Sequence, residues 1–383
     1  MASENLYFLT HSRLSLLSGM TVKGNISVVT DVTNIRKNVS KGTPSKNAKN
    51  GVSLDTLAQL RTNDVPNDIG PLRKCTKQSD KKALLKRARR KYMGCNLALK
   101  LVDASKKNPD SELSPSYWRA FKCAGVMLVD FEGKVMGKYC KLRWCPVCNA
   151  IRSAKLINQY KPHFQDWVDP HMVTLTIPNV PGDQLKGAIK EMTTNFRKVK
   201  DSLNKTAKRN GRSKLIGVRK LECTYNVNRD NYHPHFHFLI EGKSNSVELV
   251  NRWLKTNPTA NRKAQDVRQA DDGSLKEVFK YFTKLITNGP KGDRAIYADA
   301  LDVIFNAVSG AMTFRSLGFT MKKSIDTDAE KVSTENIASV WPWYKNDWVN
   351  PETGEMLSGY VPGEGMIDLV ENKIKLRPRN KAN

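Results

Sequence analysis

Between residues 166 and 290 the apolar positions follow two periods in turn, and their alternation predicts a fold. HMVTLTI (171–177) reads as a strand that stops at Pro178. Residues 183–207 switch to helical spacing. LIGVRKLECTYNV (215–227) reads as a strand, NRDN (228–231) as a turn, and HPHFHFLIEG as the returning strand. SVELVNRWLKT (246–256) is helical, AQDVRQA (264–270) a short strand and SLKEVFKYFTKLI (274–286) a helix. The order β-α-β-β-α-β plus a helix predicts an α+β fold, the split βαβ or ferredoxin-like arrangement with a central antiparallel sheet.

The polar side of the returning strand carries candidate chemistry. Side chains alternate across a strand, so His233, His235 and His237 share one face while Phe236 and Phe238 point into the core. A turn centred near Asn228 and Arg229 sets Glu222 opposite His235 and Leu221 opposite Phe236. Glu222 is therefore a plausible third ligand beside His235 and His237. Two imidazoles and a carboxylate with open positions suit Mn²⁺ or Mg²⁺ in a Lewis-acid role. His233, next to Pro234, reads as a support for the ligands. The plain alternative is a strand whose histidines face water, with Glu222 in a surface cross-strand pair.

The helix at 274–286 supplies a second half. At 100° per residue Val278, Phe279, Phe282, Leu285 and Ile286 form the buried stripe, and Glu277, Lys280, Tyr281 and Lys284 the polar arc. Tyr281 lies four residues after Glu277, which makes the pair surface neighbours; a half-exposed tyrosine is the bland reading. A phenol near pKa ~10 becomes a useful nucleophile when a cation polarises a phosphate and a lysine such as Lys284 stabilises the developing charge. That combination predicts phosphodiester transesterification through a phosphotyrosine. Glu277 is placed to deprotonate the water that would hydrolyse the adduct.

Cys140, Cys145 and Cys148 form CxxxxCxxC, and CPVC is a tight knuckle of the kind that wraps zinc. A closed structural Zn²⁺ site needs a fourth ligand: Cys123 is the choice, His163 the alternative. Buried thiols packed as small hydrophobes are the competing reading. A zinc module here would brace the sheet and present Lys141, Arg143 and Arg152 to DNA. Cys75, Cys95 and Cys223 have no evident partner.

Composition narrows the partners. The 383 residues carry 64 Lys plus Arg against 37 Asp plus Glu, a formal charge of +27, which indicates a polyanion, nucleic acid before membrane. No apolar run reaches the length of a membrane span, and no secretory leader is evident, so a bacterial-type cytoplasmic location is expected. Residues 1–70 read as disordered or weakly ordered, 71–165 as a basic helical and zinc-binding module, 166–290 as the nuclease domain and 291–383 as a C-terminal subdomain. KKALLKRARRKY (81–92) reads as a basic helix, either along phosphates or simply solvated. WPWYKNDW (341–348) reads as aromatic packing rather than a base-stacking platform.

At these motifs the chain resembles the HUH endonucleases, named for a histidine–hydrophobic–histidine strand, here His235-Phe236-His237. Within them it is similar to the rolling-circle plasmid replication initiators with one tyrosine and a glutamate. The likeness spans roughly residues 120–290. It rests on KLECTYNVNRDNYHPHFHFLI, KEVFKYFTK, the apolar strand HMVTLTIPNV with Thr174 and Thr176, and CKLRWCPVC.

The resemblance implies that Tyr281 nicks one strand at a plasmid origin, single-stranded or extruded as a cruciform with flanking duplex. Tyr281 would then hold the 5′ phosphate and leave a 3′ hydroxyl as primer, with a host helicase and polymerase to follow. It implies hydrolytic termination through Glu277. Conjugative relaxases and single-strand transposases share this chemistry, but relaxases usually place the tyrosine before the histidine strand. A histidine-triad nucleotide hydrolase and a non-catalytic zinc DNA-binding regulator are the readings from other classes.

Overall fold

The structure, a computed structural model, describes residues 78–279, 287–288, 294–320 and 336–363. In chain order the elements are α1 (Gln78–Lys107), α2 (Ser114–Phe121), β1 (Val126–Asp130), β2 (Val135–Gly137), α3 (Pro146–Gln165), β3 (Pro170–Thr176) and α4 (Leu185–Arg209). There follow β4 (Gly217–Asn226), β5 (Asn231–Glu241), α5 (Lys243–Thr256), β6 (Asp266–Gln269) and α6 (Asp272–Phe279). The chain continues through β7 (Thr287–Asn288), β8 (Arg294–Ala295), α7 (Ala298–Val308), β9 (Phe314–Leu317), β10 (Ile337–Tyr344) and β11 (Asp347–Trp348). No described helix is long and apolar enough to cross a membrane.

The larger sheet has the order β6-β3-β5-β4-β9, and every neighbouring pair is antiparallel. Its first four strands with α4 and α5 form the split βαβ arrangement expected from the periodicity. The β4–β5 hairpin owes its register to turn chemistry. The Asn226 Oδ1 accepts from the Asn228 and Arg229 N–H groups, at 3.1 and 3.2 Å. Asp230 takes a positive φ of 49°, which a short polar residue tolerates, and accepts a hydrogen bond from the Tyr225 hydroxyl.

One face of this sheet is closed by α4 and α5. Leu185, Ile189, Met192, Phe196, Val199 and Leu203 recur every three or four residues along α4 and are all buried. Phe196 meets the rings of Phe236 and Phe238, and Trp253 of α5 meets Phe236. Trp253 also donates through Nε1 to the Thr176 carbonyl at 3.0 Å, fixing the end of β3. Arg219 is buried on this apolar face. Its guanidinium lies 4.5 Å from the Phe236 ring centre and donates to the Met312 carbonyl.

The opposite face is divided across its strands. One row, Met172–Leu239–Val218, is apolar and covered by Ile157 and Tyr160 of α3 and Val278 and Phe279 of α6. The next rows, Thr174–His237–Lys220 and Thr176–His235–Glu222, are polar. This boundary places α6 beside the histidines.

A second sheet, β11-β10-β1-β2, lies in the cysteine-bearing part of the chain. The residues expected as a C-terminal subdomain are shared between the two sheets: β9 extends the larger one, and β10 pairs with β1. The aromatic run packs. Trp348 is fully buried, stands edge-on to Trp343 and donates to the Ala124 carbonyl at 2.7 Å. The basic run of α1 is only partly solvated, since Arg90 and Lys91 are buried and Lys91 Nζ donates to the Phe121 carbonyl. α7 docks on the same region through Asp302, whose buried carboxylate accepts from Asn108, Ser111 and Tyr117 at 2.6–2.7 Å.

Candidate functional site

The polar rows bring Glu222, His235 and His237 together. One ligand atom from each lies within 4.8 Å of the others. Register accounts for it: Glu222 stands directly opposite His235 and Leu221 opposite Phe236, while His237 follows two residues on. Glu222 Oε2 is 3.9 Å from His237 Nε2, too far for a hydrogen bond and suited to two ligands of one ion.

The imidazoles are oriented from behind. His235 Nδ1 lies 3.0 Å from the His233 carbonyl oxygen, so Nδ1–H donates there and Nε2 keeps its lone pair. His237 Nδ1 lies 3.2 Å from Thr174 Oγ1 on the neighbouring strand. Such partners fix ring orientation, and their loss costs about 10–100-fold in metal affinity. Thr174→Val should therefore weaken Mn²⁺ binding by about tenfold or more, read by titration with electron paramagnetic resonance. Unchanged affinity would remove this role.

The charge state suits ligation. Burial, the largest cause, holds His235 at about 4 despite the Glu222 charge, and holds His233 at about 4 as well. Both rings are thus neutral at pH 7, the form that binds metal. His237 is also shifted down, by burial first, with Glu222 and then Glu277 acting in the opposite direction. Burial would raise Glu222, but Lys220, His235 and His237 outweigh it and hold the carboxyl at about 2.

Lys220 escaped the sequence reading. Its side chain is 2% exposed, and Nζ lies 2.7 Å from Glu222 Oε2. Its position two residues before Glu222 on the same strand was the available signal. The ammonium balances the buried carboxylate and fixes one of its oxygens.

Of the tyrosine-helix residues, Glu277 is described: it is half-buried on α6, and its charge acts on His237. Tyr281 and Lys284 lie outside the described residues, as does the rest of the helix expected to reach 286.

Cys123, Cys140, Cys145 and Cys148 form a second group whose sulfurs all lie within 4.8 Å of one another. Cys123 and Cys140 each lie close to Cys148, at 3.4 and 3.5 Å. Four thiolates ~2.3 Å from one ion would stand ~3.8 Å apart, so the set fits a tetrahedral Zn²⁺ site. Cys145 and Cys148 bracket Pro146, which starts α3. Backbone N–H groups of Cys140 and Lys141 point at the sulfurs of Cys123 and Cys148, at 3.4 and 3.2 Å. Hydrogen bonds among the thiols, ahead of burial, hold Cys140 and Cys148 low and push Cys123 and Cys145 up. His163, the alternative fourth ligand, instead stacks on Phe319.

Fold and metal-ready sheet together define an HUH-type protein with a cysteine knuckle. Residues 134–336, just over half the chain, match the family described as replication protein, and the chain belongs to that family. Relatives include Protein rep of Staphylococcus aureus, 34% identical over 166 residues, which are 38% of this chain and 69% of that protein. Protein rep of Bacillus amyloliquefaciens is 37% identical over 115 residues, 28% of this chain and 32% of that protein. Protein rep of Lentilactobacillus hilgardii is 27% identical over 256 residues, covering 57% and 79%. The chain thus spans about a third of the second relative. No solved structure matches it.

Proposed function

We propose that this protein initiates rolling-circle replication of a plasmid by nicking one strand of the origin through a tyrosine. The supporting observation is the Glu222, His235 and His237 group on the sheet face that also carries α6 and Glu277, in a chain of the replication protein family. Glu222, His235 and His237 would hold a Mg²⁺ or Mn²⁺ ion, which when bound supplies a Lewis acid toward a phosphate oxygen.

Tyr281 gives up its proton and its oxygen attacks phosphorus. The bond from phosphorus to the 3′ oxygen breaks, and that oxygen takes a proton to become the primer hydroxyl. Lys284 offsets charge on the phosphoryl oxygens. The 5′ phosphate stays on Tyr281 as a diester that retains the energy of the broken bond. In termination Glu277 accepts a proton from water, the hydroxide attacks phosphorus, the bond from phosphorus to the Tyr281 oxygen breaks, and that oxygen takes the proton back from Glu277 to become the phenol. Origin DNA is the substrate; a host helicase separates the strands and a host polymerase extends the primer.

The test is incubation with supercoiled origin plasmid or a single-stranded origin oligonucleotide and Mn²⁺. A cut strand with a protein-linked 5′ end is expected, whereas a protein that only binds DNA would leave every strand intact. Glu277→Gln should nick at the wild-type rate yet release the 5′ end about 10²-fold or more slowly. Release at the wild-type rate would refute the role of Glu277.

A further inference from the structure

We propose that the exposed rim of the cysteine knuckle, built by Lys122, Lys138 and Lys141, is a docking surface for the duplex DNA of the origin. The proposal rests on the reading of origin DNA as substrate and adds where the uncut duplex lies.

The cysteine group gathers these lysines from three separate stretches of chain. Lys122 precedes Cys123. The Lys138 carbonyl accepts from the Ala124 N–H at 2.9 Å. Lys141 follows Cys140 with a positive φ of 59°, and its N–H points at the Cys148 sulfur. All three side chains are exposed, and exposed Arg119 reaches the Cys140 carbonyl from the adjoining helix α2. No Asp or Glu occurs between Leu113 and Val129 or between Gly133 and Gln165, so no acidic residue of these stretches neutralises the rim.

Two cations that the sequence pattern also offered to DNA are committed elsewhere. Arg143 donates to the Ala311 carbonyl at 2.5 Å and Arg152 to the Lys141 carbonyl at 2.6 Å. Both are half-buried and serve to hold the knuckle in place. The exposed Lys122, Lys138 and Lys141 are compact point charges on a braced scaffold, which suits phosphate contacts that set position rather than base readout. A stiff duplex matches a fixed rim better than an unpaired strand, whose backbone would have to be ordered on binding.

The experiment compares the full-length protein with the Lys122→Gln, Lys138→Gln, Lys141→Gln triple variant. Fluorescence anisotropy on duplex origin DNA across a salt series is read beside nicking of a single-stranded origin oligonucleotide. Three lost phosphate contacts should lower the slope of log K against log salt by about 3 and duplex affinity by about tenfold or more near 0.1 M salt. Single-strand nicking should be unchanged. Duplex affinity and salt slope equal to wild type would overturn the proposal. Loss of duplex affinity supports the rim whether or not the wild-type protein nicks, so failure of the nicking chemistry remains a separate result. If the triple variant loses its zinc, Lys122→Glu with Lys138→Glu decides in its place, with the same two outcomes.

Discussion

Replacing His235 or His237 by alanine is expected to reduce metal-dependent nicking by well over a hundredfold while leaving the protein folded. The magnitude follows from the shell structure of metal sites. Losing a group that merely orients a ligand costs about 10–100-fold, so losing the ligand costs more. Each variant would leave Glu222 facing Lys220 with one imidazole, too few donors to hold a divalent ion against solvent.

The fold should survive because the histidine rows lie outside the apolar half of the face. Met172, Leu239 and Val218 stay covered by α3 and α6, and Phe236 and Phe238 pack on the far side of the sheet. Nicking rate, Mn²⁺ affinity and the urea midpoint read these effects apart. A variant with wild-type Mn²⁺-dependent nicking would show that the imidazoles are not ligands.

Removing the metal from the cysteine group should have the second large effect, on stability. Apparent zinc binding energies in small zinc domains are on the order of 10–16 kcal/mol, comparable with the whole stability of a domain at about 5–15 kcal/mol. The four cysteines tie together the end of α2, the loop after β2 and the start of α3, and β1 beside them pairs with β10. Without the ion, the sulfurs have only one another and the backbone N–H groups of Cys140 and Lys141 as hydrogen-bond partners among the contacts described.

Elemental analysis should give about one zinc per chain. Chelation, or Cys145→Ser, should lower the thermal midpoint by 10 °C or more, about the shift expected from several kcal/mol in a chain of this size. A zinc-free protein with an unchanged midpoint would assign the thiols to simple core packing.

Much of the larger sheet could be read from local pattern. NRDN has the residues that a tight turn needs, and the alternation on either side then leaves one register in which Phe236 is buried. That register alone sets Glu222 opposite His235. The fifth strand and the second sheet were not legible. Phe314–Leu317 and Ile337–Tyr344 find partners far away in sequence, and no local signal names β4 or β1 as the neighbour.

Buried charge was the other blind spot. The pattern gives no role to Arg219 or Lys220, yet one lies on two phenylalanine rings and the other against Glu222. Long basic side chains are placed by their tertiary partners, which a hydropathy pattern does not encode. For the same reason Arg143 and Arg152 looked available to DNA when both are bound to carbonyl oxygens.

The most direct test identifies the atom that holds the cut strand. The protein is incubated with Mn²⁺ and a single-stranded origin oligonucleotide, the DNA is trimmed with nuclease, and the tryptic peptides are sequenced by mass spectrometry. The expected product is a nucleotide joined by phosphodiester to Tyr281, absent from Tyr281→Phe and from samples without divalent metal. Cutting with no covalent species, or an adduct on a different tyrosine, would contradict the proposed mechanism.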